Sequence, residues 1–278
     1  MKKNNLSGDI LFDNYYSELF SERWEKLKEA FSLDPAYCAI ESPLSEEKYY
    51  IDAASVLCAG CLPLENADAV LDMCAAPGGK TLVLAKRMGE ETELLANERS
   101  KERYCRLSKV VKTFLPENIS NRINFSCADG SVLCRNIKNR SRFDAILLDA
   151  PCSSERHVYA ENKYLAQWTP SRIKSLSMAQ WALLSSAFLM LKEGGYILYS
   201  TCALANEEND GVIRRLLKKY ENAIVQDIDI NERKAVLLEL IPGLPFLPDV
   251  ERTEYGYQVL PDISEGAGPI YFCLVKKM

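Results

Sequence analysis

The 278-residue sequence predicts an α/β fold in which helices cover both faces of a doubly wound, mostly parallel sheet. Short apolar runs alternate with helical segments, and strands that are buried on both faces have this continuously apolar character. Acidic residues or cysteines follow most of these runs. Such positions meet at the edge of a parallel sheet where ligands bind. A glycine-rich turn between the first run and the first helix of this region is the third observation that favours the fold.

The regular alternation begins at residue 69. Apolar runs predict strands at 69–73, 94–98, 123–128, 143–149, 196–201 and 270–275. Helical spacing predicts helices at 81–88, 101–114, 178–191 and 208–220. The segment before this region lacks the alternation and contains predicted helices at 18–31 and 49–62. We therefore predict an N-terminal extension at 1–66, which is short and mainly helical, and an α/β domain at 67–278.

Composition places the chain among ordinary globular proteins. Hydrophobic residues make up 47% and charged residues 26% of the sequence. We find no run of about 18 apolar residues and no secretory leader at 1–5, so we expect a cytoplasmic protein without a membrane segment. The ten cysteines are scattered through apolar segments, which indicates reduced thiols. Cys58 and Cys61 have zinc-like spacing, but no second pair of ligands accompanies them, and we predict no metal site.

The distribution of charge leaves two interpretations open. The net charge of −5 weakly disfavours nucleic acid as a partner. Two short stretches are nevertheless rich in cations, Arg99, Lys101, Arg103, Arg106, Lys109 and Lys112 in the first and Arg135, Lys138, Arg140 and Arg142 in the second. These stretches form either solvated faces or a surface that contacts a nucleic-acid backbone.

The glycine-rich turn at 74–81 is the candidate cofactor site. A P-loop requires glycine at position 74, which is Cys74, and the glycines are adjacent rather than spaced as dinucleotide binding requires. S-adenosylmethionine is the third candidate, because it has no pyrophosphate and needs only a looser turn. Glu98, at the end of the second predicted strand, is placed to accept both ribose hydroxyls. Asp129, after the third strand, is placed to reach the adenine edge.

Two cysteines follow neighbouring predicted strands, Cys152 after Asp149-Ala150-Pro151 and Cys202 after Thr201. A thiolate that adds to C6 of a cytosine makes C5 nucleophilic, and C5 can then accept a methyl group. A cysteine protease is disfavoured, because the single histidine, His157, lies five residues after Cys152 and no signature of a protease accompanies it. The order of the residues does not say which cysteine attacks.

Three segments together resemble signature motifs of the RNA 5-methylcytosine methyltransferase family, the Nop2/Sun or RsmB/RsmF-like group. They are Asp72–Lys80, Asp149–Ser153 and Tyr199–Cys202, and Arg252–Gln258 resembles a C-terminal segment of the same family. The resemblance extends over about residues 50–278. It implies a class I methyltransferase, Rossmann-like fold with a seven-stranded sheet.

The resemblance also implies the roles of individual residues. Cys202 corresponds to the nucleophile, and Cys152 to the cysteine that assists release of the methylated base. Asp149 corresponds to a residue that touches the target base, and Lys80 lies near the catalytic centre. The implied site for S-adenosyl-L-methionine consists of Cys74, Ala75, Ala76, Pro77, Gly78, Gly79, Lys80, Glu98, Asp129 and Asp149.

Two departures from the family pattern bear on the substrate. Ala203 stands where the family motif continues with serine, a position that we expect to support the loop. Larger members carry a dedicated RNA-binding domain, whereas the extension at 1–66 is short, and we expect it to contact RNA or to pack on the core. The target base must be flipped out or lie in a loop. Three aromatic residues follow Cys152, namely Tyr159, Tyr164 and Trp168, and the same segment contains Arg156 and Lys163. The aromatic residues either clamp RNA or pack the loop onto the domain.

The expected activity is methyl transfer to C5 of a cytosine in ribosomal RNA through a covalent bond between cysteine and C6. Transfer RNA is the alternative substrate. A different class, a ribosome-assembly factor that binds RNA without catalysis, is the second alternative. The expected partners are RNA and an accessory RNA-binding or ribosomal protein, and the expected state is a monomer.

Overall fold

The computed structural model describes residues 7–241, 243–244 and 246–278 of the chain. The absence of a secretory leader was predicted from residues that lie outside the described ones. Eleven strands are described: β1 (Tyr37–Glu41), β2 (Lys48–Asp52), β3 (Ala69–Asp72), β4 (Glu93–Asn97), β5 (Ile123–Ser126), β6 (Phe143–Asp149), β7 (Leu191–Thr201), β8 (Ala223–Gln226), β9 (Glu251–Arg252), β10 (Tyr257–Val259) and β11 (Ile270–Lys277).

Eleven α-helices accompany these strands in the described part of the chain: α1 (Gly8–Phe20), α2 (Arg23–Phe31), α3 (Ala53–Gly60), α4 (Gly79–Arg87), α5 (Lys101–Phe114), α6 (Glu117–Ser120), α7 (Glu155–Ala160), α8 (Asn162–Leu165), α9 (Pro170–Met190), α10 (Asp210–Lys219) and α11 (Ile230–Leu240). Two short 3-10 helices follow β5, at Gly130–Arg135 and Ile137–Asn139. No helix of the described residues is both long and apolar enough to cross a membrane.

The main sheet confirms the predicted fold class. Its strands run in the order β5-β4-β3-β6-β7-β11, and β8 pairs with β11 beyond them. The pairs from β5 to β7 are parallel, and β11 is antiparallel to β7. These seven strands form the predicted seven-stranded sheet, to which β10 and β9 add two short strands next to β11. Successive strands are added on one side of β3 up to β5 and on the other side from β6 onward. The ligand-binding crevice is therefore expected at the carboxyl ends of β3 and β6.

Apolar side chains cover both faces of the sheet. On one face, α3 and α4 pack with the inward side chains of α5, such as Leu107 and Val111. On the other face, α9 and α10 pack through residues such as Leu184 and Ile213. This arrangement is the two-sided burial that continuous apolar strands predict.

The N-terminal extension is mainly helical, as predicted, but its elements differ in detail. The predicted helix 18–31 is the end of α1 followed by α2, with a break at Ser21, whose φ is +50°. The predicted helix 49–62 was wrong over its first turn, because residues 49–52 form β2 and pair with β1. The helix starts at α3, where the Asp52 carboxylate accepts a hydrogen bond from Ala54 N at 2.7 Å.

The end of the predicted helix 178–191 and the start of the strand after it also differ from the prediction. The prediction ended a helix at the paired glycines 194 and 195, whereas β7 begins at Leu191 and contains both. Gly194 has a φ of +79°, and the register between β6 and β7 is irregular near this position. The glycines therefore form an irregularity inside a strand rather than a turn that precedes it.

Candidate active site

A cavity of about 1030 Å³ opens at the carboxyl ends of β3, β4 and β6, where the topology predicts a crevice. Most residues of the predicted site line it, namely Cys74, Ala76, Lys80, Glu98, Asp129, Asp149, Cys152 and Cys202. Ala75, Pro77, Gly78 and Gly79 are not among the lining residues. The structure therefore brings together every predicted acid and both cysteines, but only part of the predicted turn.

The two glycines of the turn make room for neighbouring elements. Gly78 has a φ of +118°, and a Cβ added to it would lie 2.9 Å from the side chain of Val110 on α5. A Cβ added to Gly79 would lie 3.0 Å from both Tyr49 and Ile51 of β2. The glycines thus allow α5 and β2 to close around the start of α4. Their assignment to the cofactor stays a prediction.

Glu98 and Asp129 present carboxylates at one wall of the cavity. Glu98 is buried, and its Oε1 accepts a hydrogen bond from Ser100 N at 2.8 Å. Asp129 accepts hydrogen bonds from the hydroxyl and the backbone N–H of Ser131, which hold the pKa of Asp129 below its ordinary value. The second oxygen of Asp129 lies 3.7 Å from Nε of Arg99. Both acids are held in place by the turns that follow β4 and β5.

Asn97 also lines this wall, and sequence reasoning missed it. Its Nδ2 donates to the carbonyl oxygens of Met73 and Ala128 at 3.0 and 3.1 Å, which ties the ends of β3 and β5 together. Its Oδ1 is buried and has no hydrogen-bond partner among the described residues. The only signal in the sequence was its place directly before Glu98 at the end of a strand.

The wall fits S-adenosylmethionine on chemical grounds. This cofactor carries a positive sulfonium and a positive ammonium group, and the cavity is lined by four carboxylates, Asp52, Glu98, Asp129 and Asp149. Beside them lies an apolar surface, where a Cβ added to Gly130 would come within 2.9 Å of Leu183. Carboxylates beside an apolar slot suit a ligand that combines cationic groups, a ribose and a flat base.

The two candidate catalytic cysteines are in contact. Their Sγ atoms lie 2.8 Å apart, and the backbone N–H of Cys202 donates to Sγ of Cys152 at 3.3 Å. The hydroxyl of Ser154 lies 3.2 Å from Sγ of Cys202 and 3.5 Å from that of Cys152. Ser154 was not predicted as a site residue, although it stands two positions after Cys152.

The contacts of the two thiols shift their pKa values in opposite directions. Hydrogen bonds from the thiol of Cys152 and then from the hydroxyl of Ser154 hold the pKa of Cys202 below its ordinary value, although burial opposes this. The hydrogen bond to Cys202, together with burial, raises the pKa of Cys152. Cys202 is therefore the member of the pair that is favoured as the thiolate, which is the nucleophilic form of cysteine.

Lys80 and Asp149 form an ion pair beside the cysteines. Nζ of Lys80 lies 2.7 Å from Oδ2 of Asp149, and Ser200 donates to Oδ1 of Asp149 at 2.9 Å. Burial opposes the positive charge of Lys80, but the carboxylate of Asp149 outweighs it and the pKa of Lys80 is raised. The negative charge of a Cys202 thiolate acts on Lys80 in the same direction. The pair thus places a fixed cation close to the candidate nucleophile.

The segment after Cys152 divides the predicted aromatic residues. Trp168 is buried with Phe12 and Tyr16 of α1, and Tyr159 packs against the same cluster. Tyr164 is 43% exposed, and Nζ of Lys163 lies 4.6 Å from the centre of its ring. Packing therefore accounts for the first two residues, and only Tyr164 is presented to solvent.

Two other predicted features lie away from the cysteines or support them. Arg156 donates to the backbone carbonyls of Leu33, Gly266 and Gly268. The segment Arg252–Gln258 runs from the last residue of β9 to the start of β10, and Asp210 at the start of α10 accepts hydrogen bonds from three of its residues. The segment Arg252–Gln258 thus connects elements of the domain, whereas Arg156 both connects loops and lines the cavity.

The order of strands and the crevice at the carboxyl ends of β3 and β6 are those of the class I methyltransferase fold. A solved structure of a methyltransferase homologue from Pyrococcus horikoshii has the same fold, with a TM-score of 0.67 over 95% of this chain and 94% of that one, at 20% identity. The sequence model of a family described as 16S rRNA methyltransferase RsmB/F matches residues 59–258. The chain belongs to this family, which confirms the resemblance found in its motifs.

Two relatives from Mus musculus illustrate the range of the family. The 5-cytosine rRNA methyltransferase NSUN4 is 32% identical over 237 residues, which cover 83% of this chain and 60% of that protein. The mitochondrial tRNA (cytosine(34)-C(5))-methyltransferase is 32% identical over 235 residues, which cover 84% of this chain and 65% of that protein. The chain thus spans less than two thirds of the length of these relatives.

Proposed function

We propose that the protein transfers a methyl group from S-adenosylmethionine to C5 of a cytosine in RNA, with Cys202 as the nucleophile. The observation that carries this proposal is the contact of the Cys202 sulfur with the thiol of Cys152 and the hydroxyl of Ser154, two groups that can each donate a hydrogen bond to a thiolate. A protein that only bound RNA would have no need for this arrangement at the mouth of a cavity lined by carboxylates.

The cofactor, when bound, supplies an electrophilic methyl group. Glu98 would hold the ribose hydroxyls, Asp129 would hold the adenine edge, and the residues around Cys74 and Lys80 would hold the rest of the cofactor. The carboxylates of Glu98 and Asp129 are already fixed by hydrogen bonds from Ser100 and Ser131. Such fixed groups bind without reorganisation, which favours productive geometry.

The remaining steps of the reaction are carried out by side chains of the protein. The thiolate of Cys202 adds to C6 of the cytosine, and the new S–C6 bond makes C5 nucleophilic. Asp149 contacts the target base and is oriented by Lys80 and Ser200. Loss of the proton at C5 after methylation restores the C5–C6 double bond and expels the thiolate of Cys202. Cys152, in contact with that sulfur, assists the release.

A basic surface on α5 supports RNA as the substrate. Residues 99–112 contain six lysines or arginines and one acid, Glu102, which gives a net charge of +5, whereas the chain as a whole carries −5. The rest of the chain therefore carries −10. Arg99 and Arg103 line the cavity itself. Exposed cations continue from there along the helix and form no ion pair with any described residue: Arg106, Lys109 and Lys112.

Ribosomal RNA is the substrate that we favour. The description of the matching family names 16S rRNA, and one of the two mouse relatives acts on rRNA. Transfer RNA is the second candidate, because the other mouse relative is equally similar. Four further features stay predictions. They are the boundary between an extension at 1–66 and the catalytic domain, a cytoplasmic location, a monomeric state, and an accessory RNA-binding or ribosomal protein.

One assay separates these candidates. The protein is incubated with radiolabelled S-adenosylmethionine and, separately, with small-subunit rRNA, small ribosomal subunits and total tRNA, and the RNA is digested to nucleosides. We expect label in 5-methylcytosine from rRNA or the subunits, and none with the Cys202→Ala variant. Label in tRNA alone would favour the second candidate. Cofactor binding by calorimetry without label in any RNA would contradict the proposed activity and favour a binding factor.

A further inference from the structure

Two fully buried carboxylates, Glu155 and Glu208, lie beneath the loops that carry the cysteines. No ion pair of the described residues includes either of them. Burial raises the pKa of both groups, and the pKa of Glu208 reaches about 7. Buried carboxylates without a cation are costly, so the hydrogen bonds that they accept must offset the loss of water.

Glu155 connects the two cysteine loops to each other. Its Oε1 accepts a hydrogen bond from the hydroxyl of Ser153, the residue directly after Cys152. Its Oε2 accepts one from the backbone N–H of Leu204 at 3.1 Å, two residues after Cys202. A single carboxylate therefore fixes the loop after β6 relative to the loop after β7.

Glu208 holds the Cys152 loop from another side. Its Oε2 accepts hydrogen bonds from the backbone N–H of Ser153 at 3.0 Å and from Nε2 of Gln180 at 2.7 Å. The same Nε2 of Gln180 donates to the carbonyl oxygen of Pro151 at 3.0 Å. The residues on both sides of Cys152 are thus anchored to Glu208, directly or through Gln180.

The N-terminal helix α1 takes part in this network. The hydroxyl of Tyr16, a fully buried residue, donates to Oε1 of Glu155. Its neighbour Tyr15 donates to Glu207 at 2.9 Å in an exposed contact. Two adjacent tyrosines therefore bind two different glutamates, one in the buried network and one outside it, which provides a matched pair for experiment.

The charges of the network do not explain its place beside the thiols. The negative charge of Glu155 acts to raise the pKa of Cys202, and so opposes the thiolate that the mechanism needs. The contribution of the carboxylates must then lie in the positions that their hydrogen bonds impose on the two loops.

We propose that Glu155 and Glu208 are positioning residues that hold Cys152 and Cys202 at the separation at which one thiol donates to the other. Tyr16 extends this network to α1, so that the N-terminal extension takes part in organising the reactive pair. The inference rests on the proposed function, in which Cys202 is the nucleophile and Cys152 its partner.

The test measures the reactivity of one thiol in the folded protein. The rate at which iodoacetamide alkylates Cys202 is followed from pH 6 to 10 by mass spectrometry of the peptide that contains it. We expect Tyr16→Phe and Glu208→Leu to move the midpoint up by about one pH unit, which lowers the rate near pH 7 about tenfold. If the only effect of a variant were the loss of a nearby negative charge, the midpoint for Cys202 would move down. An upward shift of the midpoint therefore indicates that the positions of the two thiols have changed.

Neighbouring residues provide the controls. Tyr15→Phe and Glu207→Leu alter the exposed contact and should leave the midpoint unchanged. Glu208→Gln keeps an oxygen that accepts from Ser153 and Gln180, and should not move the midpoint upward. Circular dichroism establishes that each variant is folded under the assay conditions. If Glu208→Leu does not fold, Tyr16→Phe decides the result.

The outcome is independent of methyl transfer, because alkylation needs neither RNA nor cofactor. An unchanged midpoint in folded Tyr16→Phe, or an equal shift in Tyr15→Phe, overturns the positioning role even if the wild type methylates RNA. An upward shift confined to the Tyr16 and Glu208→Leu variants supports the role even if the wild type transfers no methyl group. In that case only the proposed function fails.

Discussion

Asp149 on β6 pairs in register with Ser200 on β7, and the Ser200 hydroxyl donates to the Asp149 carboxylate at 2.9 Å. Because the two strands are parallel neighbours, the segments that follow them leave the same edge of the sheet. Cys152 and Cys202 stand three and two residues beyond this pair, and their sulfur atoms are 2.8 Å apart. The strand register therefore brings together Asp149, which we propose contacts the target base, and two thiols that are 50 residues apart in sequence.

The ion pair of Lys80 and Asp149 should be essential for catalysis. Replacing Lys80 with methionine leaves the Asp149 carboxylate without its cation and removes a positive charge from the neighbourhood of Cys202. We expect the methylation rate to fall by about 10²–10³-fold, as for the loss of an electrostatic contact to a reacting group. Single-turnover rates with labelled cofactor measure this. Lys192→Met breaks a 2.7 Å ion pair with Asp144 at the opposite end of the strands and should change the rate little. Equal losses in both variants would contradict the account.

Glu98 should determine affinity for the cofactor. Glu98→Gln keeps an acceptor for Ser100 N but removes the charge that the ribose hydroxyls would contact. Loss of a charge-assisted hydrogen bond predicts a Kd for S-adenosylmethionine that is about tenfold higher. Calorimetry without RNA tests this, and Glu102→Gln, on the exposed first turn of α5, is the control. A Kd that is unchanged in Glu98→Gln would remove this residue from the cofactor site.

The basic surface of α5 should contribute to RNA affinity through phosphate contacts. Reversing the charges of Arg106 and Lys109 to glutamate should weaken binding at low salt. It should also reduce the slope of log K against log salt by about 0.7–0.9 for each lost contact. Fluorescence anisotropy over a salt series gives both quantities. The control replaces Lys218 and Lys219 with glutamate. These two lysines are exposed at the C-terminal end of α10. If the two double variants bind RNA alike, α5 is only a solvated face.

Asp72 should make stability depend on pH. Burial raises its pKa to about 7, so between about pH 4 and 7 the folded state retains a proton that the unfolded state has lost. Stability therefore falls as pH rises through this window, by at most about 1.4 kcal/mol per unit from this group. In Asp72→Asn this component is absent, so the variant should gain stability relative to wild type from pH 5 to 7. Urea unfolding measures the difference. With Asp68→Asn, an exposed neighbour, the difference should stay constant; a constant difference for Asp72→Asn as well would refute the assignment.

The sequence sufficed for six strands of the sheet and for the residues at its carboxyl edge, whereas the short strands β8, β9 and β10 were not predicted. Apolar strands and the polar residues after them are local patterns, and the parallel topology then brings Glu98, Asp129, Asp149 and the cysteines together. Local patterns failed where tertiary contacts decide. Residues 49–52 form a strand because β1 is available to pair with them.

The residues that support the site could not be predicted from the sequence either. Glu155 and Glu208 occupy segments that are ordinary in sequence. Both are buried by residues that are distant in the chain, which include Tyr16 of α1 beside Glu155 and Gln180 of α9 beside Glu208. Trp168 likewise packs on α1, more than 140 residues earlier in the chain, rather than facing RNA. Such contacts depend on how distant elements meet, which neither periodicity nor motif spacing records.

Cys202 and Cys152 have different roles in the proposed reaction, and trapping the covalent adduct with RNA distinguishes them. Each cysteine is replaced with alanine, and the variants are incubated with cofactor and substrate RNA. Denaturing electrophoresis then detects RNA that is covalently bound to protein. We expect a stable adduct with Cys152→Ala, because attack still proceeds, more slowly without the hydrogen bond from Cys152, while release fails. We expect neither adduct nor product with Cys202→Ala. An adduct that forms in the Cys202→Ala variant would show that Cys202 is not the nucleophile.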